Sequence, residues 1–182
     1  MRIAFLALVA ALAGAPAFAQ RGAVSPDLSP EAAGEAFKQA VVETCVPAVT
    51  GSGVSGVSAA QRGRLQPTND AETRRQAGAA PDETVWDVMD GKGVVTVREK
   101  AGRCVVSVYG PPAGATVQKV AQALTGAAGF QRLASPASGV GQTLQAASNG
   151  RSVMVQLAGS DPGMAGHQSR FSVVTATVFV AQ

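Results

Sequence analysis

The sequence predicts an α+β fold: an antiparallel sheet of about six strands with two main helices packed on one face, in the order α-β-β-β-α-β-β-β. Three observations carry this reading. Arg103-Cys104-Val105-Val106-Ser107-Val108-Tyr109 is a β-branched, alternating run, stopped by Gly110-Pro111-Pro112. Asn149-Gly150 lies between two further alternating runs, which is the pattern of a two-residue hairpin turn. Residues 29–47 and 115–128 instead repeat apolar side chains every three or four positions, as one face of a helix does.

Of the 182 residues only 15% are charged, 21 are Gly, and the formal net charge is +3. The length predicts one domain, placed here at residues 29–182. Lys and Arg are scattered and aromatic residues amount to 4%, which argues against a nucleic-acid partner. The start reads as a secretory signal over residues 1–19. Met1-Arg2 is basic, Ile3 to Gly14 is apolar but short of a bilayer span, and Ala17-Phe18-Ala19 offers small residues ahead of a cleavage site before Gln20. No cysteine follows the small-residue stretch, which disfavours a lipoprotein, and no later stretch is long and apolar enough to span a membrane. The expected location is periplasmic or secreted. Residues 20–28 read as a flexible tail.

Ser29-Pro30-Glu31 opens the first helix: Ser caps, Pro fits the first helical position, and Glu faces the positive end of the dipole. Phe37, Val41 and Cys45 recur every four residues on its apolar face, and Pro47 is expected to end it. Residues 50–83, rich in Gly and Arg, read as a long solvated loop in which Asn69-Asp70-Ala71-Glu72 could cap one short helix to Gln76. Strands follow at 84–89 and 94–98, turning at Asp90-Gly91, and Glu99 to Gly102 turns into the Cys104 strand through a two- or four-residue loop. Either loop leaves the same residues on the same faces. Ala115 to Ala128 is the second helix, with Val117, Val120, Ala121 and Leu124 on its stripe. The Asn149-Gly150 turn pairs Ala147 with Ser152 and Ala146 with Val153. After a loop at 159–168, Phe171 to Val180 is the final strand.

These registers gather Val95, Val97, Cys104, Val106 and Val108 on one face. Thr96, Arg98, Ser107, Tyr109, Thr143, Gln145, Gln156, Thr175, Thr177, Phe171 and Phe179 fall on the other. Two helices suffice to cover one face only, so the second is expected to meet solvent. Its Thr and Gln residues, with a few aromatics and one Arg, make it a candidate docking surface centred on Arg98 and Tyr109.

Cys45 and Cys104 are the only cysteines, and each lies on the apolar face of its element, so a disulfide is expected between helix and strand. No Cys-x-x-Cys pair suggests redox catalysis. Gly51-Ser52-Gly53-Val54-Ser55-Gly56 matches the dinucleotide-binding glycine pattern by letter. It lacks the preceding strand and the following helix start, so it reads as a loop. His167 is the only histidine and shares a loop with Ser160 and Asp161, which invites a triad reading, but no Gly-x-Ser-x-Gly elbow supports it. Glu83, Asp87 and Asp90 cluster near Trp86, as carboxylates and an aromatic do in sugar hydrolysis, although Asp is ordinary at strand ends and turns. No residue set calls for a metal or another cofactor.

The signal ending in Ala17-Phe18-Ala19, Phe37 and Cys45 on the first helix, Trp86 and Cys104-Val105-Val106 together resemble the small exported proteins of proteobacteria, in particular the Gly/Ala-rich alphaproteobacterial ones. The resemblance implies a periplasmic location, no activity and no transferable site residues. The expected function is a non-enzymatic binding or envelope-associated domain whose partner is another periplasmic or envelope protein. The alternatives are a periplasmic hydrolase using the 159–168 loop (His167) or the acidic cluster near Trp86, and a structural envelope protein. Sequencing the exported form is expected to give Gln20 as its first residue. Retention of residues 1–19 would overturn the signal reading.

Overall fold

A computed structural model describes residues 29–88, 94–133, 140–164, 166 and 169–181. The first helix, α1 (Pro30–Gln39), begins as its sequence dictates: the Ala32 N–H donates to Ser29 Oγ at 3.2 Å and Pro30 occupies the first turn. It does not stop at Pro47. A π-helical segment, Ala40–Cys45, leads directly into α2 (Val46–Thr50), so the helical run continues through the proline. The Val46 N–H reaches back five residues to the Val41 carbonyl, and this wider turn removes the close carbonyl that a proline ring would meet in a regular helix. Phe37, Val41 and Cys45 keep their common face and are fully buried.

Residues 50–83 are ordered and not a loop. They contain a 3-10 turn at Val54–Gly56, α3 (Ala59–Arg62), the edge strand β1 (Leu65–Thr68) and α4 (Ala71–Gln76). Distant partners hold them. The Thr44 hydroxyl donates to the Gln61 carbonyl at 2.7 Å, and the Val54 N–H donates to Glu99 Oε1 at 2.7 Å. Gly53 lies at φ 80°, a left-handed conformation that favours Gly, with the Glu99 carboxylate against it. Asp70 caps α4 by accepting the Thr73 N–H at 2.8 Å, as the Asn69–Glu72 pattern anticipates.

The sheet has eight strands, all paired antiparallel, in the order β1-β2-β3-β4-β8-β7-β6-β5. The anticipated strands are β2 (Thr84–Val88), β3 (Val95–Lys100), β4 (Arg103–Tyr109), β6 (Val140–Ser148), β7 (Arg151–Ser160) and β8 (Val173–Val180). The two additions, β1 and β5 (Gln131–Arg132), are both short edge strands. Pro67 sits within β1, where an edge tolerates a missing N–H. Residues 100–103 close β3 to β4 through the two-residue loop, Lys100 opposite Arg103. Asn149 and Gly150 adopt φ 51° and 71°, the geometry a primed hairpin turn needs, and pair Ala147 with Ser152 and Ala146 with Val153. The Asp90-Gly91 turn lies outside the described residues.

The α1-to-α2 run and α5 (Ala113–Ala127) pack on the same face of the sheet. The core between them and the strands is largely valine, with Phe37, Leu124 and Leu144 as its largest wholly buried side chains. Glu35 on α1 pairs with Lys38 on its own helix and with Lys119 on α5, and these ammonium groups, Lys119 first, hold its carboxyl below the usual range. Cys45 and Cys104 are joined, which ties the π segment to β4 at the centre of the sheet, with a Cα–Cα distance of 5.6 Å. Replacing both by Ala is expected to lower stability by about 4 kcal/mol in the chain-entropy picture. Urea unfolding midpoints measure this, and unchanged midpoints would show that the crosslink contributes nothing.

Candidate functional site

The strand registers arrange the face opposite the two main helices into rows that run from strand to strand. One row runs Gln66, Asp87, Thr96, Ser107, Thr175, Ala158. The next runs Thr68, Val85, Arg98, Val105, Thr177, Gln156, Thr143. A third runs Arg103, Phe179, Met154, Gln145. The side chains expected on this face are on it, except Phe171, which precedes β8 and is exposed; only half of the face is open.

Over β2, β3 and β4 the face is roofed. Residues 71–83, formed by α4 and the segment after it, lie across these strands as a strap. Beneath it Val85, Asp87, Thr96, Val105 and Ser107 are buried, Thr96 to 1% exposure. The strap contributes Thr73 and Ala77 to the contact. Its fastening is polar. Arg98 Nη1 donates to the Gly78 carbonyl at 2.7 Å and to Glu83 Oε2 at 3.4 Å. The Tyr109 hydroxyl donates to the Gln76 carbonyl at 3.2 Å. Lys100 Nζ lies 2.6 Å from Asp82 Oδ2. Arg74 Nη2 donates to the carbonyls of Ala80, at 2.9 Å, and Glu83, at 3.1 Å, which shapes the strap internally. Arg98 and Tyr109 are therefore engaged by their own chain, and the expectation that this whole face meets solvent is corrected by the strap.

Asp82 and Lys100 shift each other in opposite directions. The hydrogen bond from Lys100 lowers the Asp82 pKa from its ordinary 3.8, and the same contact raises Lys100 from 10.5. The carboxylate's contribution is present above the ordinary Asp value and is lost as pH falls through its lowered one. The ammonium's contribution is present below the ordinary Lys value and is lost as pH rises through its raised one. The strap is thus fastened at neutral pH. Both side chains are well exposed, so the pair adds little by itself.

Across β8, β7 and β6 no described residue covers the face. Thr175, Thr177, Phe179, Met154, Thr143 and Gln145 are half-buried and Gln156 is exposed. None of them is charged, and Gln145 Nε2 donates to Ser152 Oγ at 2.7 Å.

The other sequence candidates are dispersed. Trp86 points into the helix-covered core, where the Arg62 guanidinium carbon lies 5.7 Å from its ring centroid, while Asp87 faces the opposite side of the sheet. Glu83 accepts from Arg98 and from the Ala80 N–H at 2.9 Å. The strand's alternation separates the aromatic from the carboxylate, so they do not form a common sugar platform. Asp90 and His167 lie outside the described residues. Asp161 Oδ1 accepts the Ala113 N–H at 2.9 Å and the Ser172 hydroxyl at 2.6 Å, which caps α5 and pins the strand that follows. Gly51–Gly53 border a cavity of about 330 Å³ with Glu99, Arg103 and Arg151. A helix precedes that loop and a 3-10 turn follows it, so the strand-loop-helix phosphate cradle is absent there. Among the described residues no three metal-binding side chains converge, and no helix is long and apolar enough to cross a membrane.

Family models, curated proteins and solved structures returned no match to this chain. The strap residues Gln76, Gly78 and Asp82 were not legible as partners of the sheet, because a cap signal shows that a short helix starts but not what it lies on. Arg98→Ala is expected to speed amide exchange over residues 76–83 by roughly tenfold or more, the value of a lost charge-assisted hydrogen bond. Exchange mass spectrometry reads this directly, and unchanged rates would mean that Arg98 does not fasten the strap.

Proposed function

We propose that this chain is an exported domain of the cell envelope, periplasmic or secreted, that binds a protein or envelope partner and is not itself an enzyme. The observation that carries the reading is the open half of the second face. Three long adjacent strands present Thr, Gln, Met and Phe side chains in register, with no charge among them and no described residue covering them. Such a surface can hydrogen-bond through Thr and Gln and pack through Met and Phe, and docking on it incurs no cost for desolvating a charge. The lack of cations on these positions is the reverse of what a phosphate backbone recruits. Export is supported by the basic-apolar-small pattern of residues 1–19 and by the joined Cys45 and Cys104, a bond suited to an oxidising compartment. Of the residues that suggested hydrolysis, Asp161 caps a helix and Glu83 fastens the strap.

The test is affinity capture from an envelope extract with the disulfide-bonded protein, compared with a Gln156→Glu/Thr177→Glu variant. These positions are directly opposed neighbours, so the variant puts two like charges at the centre of the open face. The wild-type protein is expected to retain a defined partner, and the variant to lose it at least about tenfold while still folding cooperatively at a modestly lower melting temperature, since each unpaired charge buried on docking is costly and opposed like charges cost a little in the sheet. Equal capture by both would remove the open face as the binding surface.

A further inference from the structure

We infer that the strap occupies, in cis, a binding site for an acidic peptide segment on the β2–β4 half of the second face. This deepens the binding reading above and rests on it. What the strap presents to the sheet is peptide chemistry: the backbone carbonyls of Gln76 and Gly78 and the carboxylates of Asp82 and Glu83. What receives them is a set of side-chain donors on two adjacent strands, Arg98 and Lys100 on β3 and Tyr109 on β4. Two cations and a phenol that accommodate carbonyls and carboxylates from the chain's own segment have the chemistry to accept them from another.

Two features separate the strap from a permanent part of the core. Its fit leaves donors unmet: Arg98 Nε and Thr96 Oγ1 are buried with no hydrogen-bond partner. A buried polar group without a partner destabilises the closed arrangement relative to one that satisfies it. Its hold is also shallow. Of residues 71–83 only Thr73 and Ala77 are buried, and α4 spans just six residues, too short to be stable alone. A segment that buries few side chains of its own, and whose contacts through Gln76, Gly78 and Asp82 are exposed, belongs to the low-stability end of a fold and opens locally. The covered half also continues in register into the open half, with Ser107 beside Thr175 and Val105 beside Thr177. A partner bound on the open strands can therefore extend an acidic segment along the same rows and displace the strap.

The probe is a labelled synthetic peptide with the sequence of residues 76–83, Gln-Ala-Gly-Ala-Ala-Pro-Asp-Glu, offered in trans to the full disulfide-bonded chain. Asp82→Ala with Glu83→Gln loosens the strap and leaves Arg98, Lys100 and Tyr109 in place. Glu83→Gln alone, which removes the carboxylate that accepts from Arg98 and from the Ala80 N–H, serves if the double variant does not fold. Fluorescence anisotropy is expected to show the peptide bound at least tenfold more tightly by the loosened variant than by the wild type. Adding Arg98→Ala is expected to abolish that binding, and a peptide ending in Asn-Gln is expected to bind tenfold more weakly. If amide exchange shows residues 76–83 opening in the variant while the peptide gains no affinity, the site does not exist. If those amides exchange only with global unfolding, the strap is integral and the inference fails as well. Either failure leaves the open-face reading standing if the Gln156→Glu/Thr177→Glu variant still loses its partner. Loss of both effects removes that reading too.

Discussion

The pairing of β8 with β4 on one side and β7 on the other holds the molecule together. Without it there would be two separate groups of strands, one before α5 and one after. Neither group could bury its valines alone, since a small isolated sheet lacks the area for a core. With β8 inserted, Val174, Ala176 and Val178 complete one apolar surface from β3 to β6, on which both helices rest. No hairpin turn joins β8 to β4, so this pairing bears a long loop-closure cost. The crosslink acts at the same place. Cys104 lies opposite Val178 in the ladder, and its partner Cys45 belongs to the helical run above. Helix, β4 and β8 are thereby fixed at one level of the sheet.

The same pairing sets the second face. Residues alternate along β8, so burying Val174, Ala176 and Val178 requires Thr175, Thr177 and Phe179 to point the other way. They extend the rows of Thr96, Ser107 and Arg98 from the roofed strands to the open ones. The two halves of this face differ in chemistry as well as in cover. The roofed half carries Arg98 and Tyr109, donors that bind carbonyls, and its strap supplies them. The open half carries uncharged side chains that water satisfies adequately. This division accounts for the strap's position: it lies where polar groups with directional needs are concentrated.

Order in residues 50–83 has a different origin from order in the sheet. Glu99, Thr44, Arg98 and Tyr109 each reach this segment from elsewhere in the chain and satisfy a backbone group in it. Backbone groups that cannot pair locally must pair somewhere or remain in water. Here side chains from β3, β4 and the first helical run add to the β1–β2 ladder and to Val54, Val57 and Leu65, which this Gly-rich segment buries in the core.

The sequence by itself determined the antiparallel α+β class, the six long strands, the two helices, the Asn149-Gly150 register, the inward and outward sets of side chains, and the pairing of Cys45 with Cys104. These follow from patterns of period two or near four, from turn chemistry and from a count of two cysteines, all local quantities. Tertiary structure alone decided what local pattern does not encode. Pro47 is carried within a helix because the preceding turn widens into a π segment. Leu65–Thr68 and Gln131–Arg132 are strands only because a neighbouring edge offers them hydrogen bonds. Trp86 and Asp87 are adjacent in the chain yet face opposite sides of the sheet. Arg98 and Tyr109 were assigned to the correct face, but their covering by residues 76–83 depends on partners some twenty to thirty positions away, |i−j| being 20 for Arg98 with Gly78 and 33 for Tyr109 with Gln76. A side chain's face is a property of its own strand, whereas what lies over that face is decided by the path of the rest of the chain.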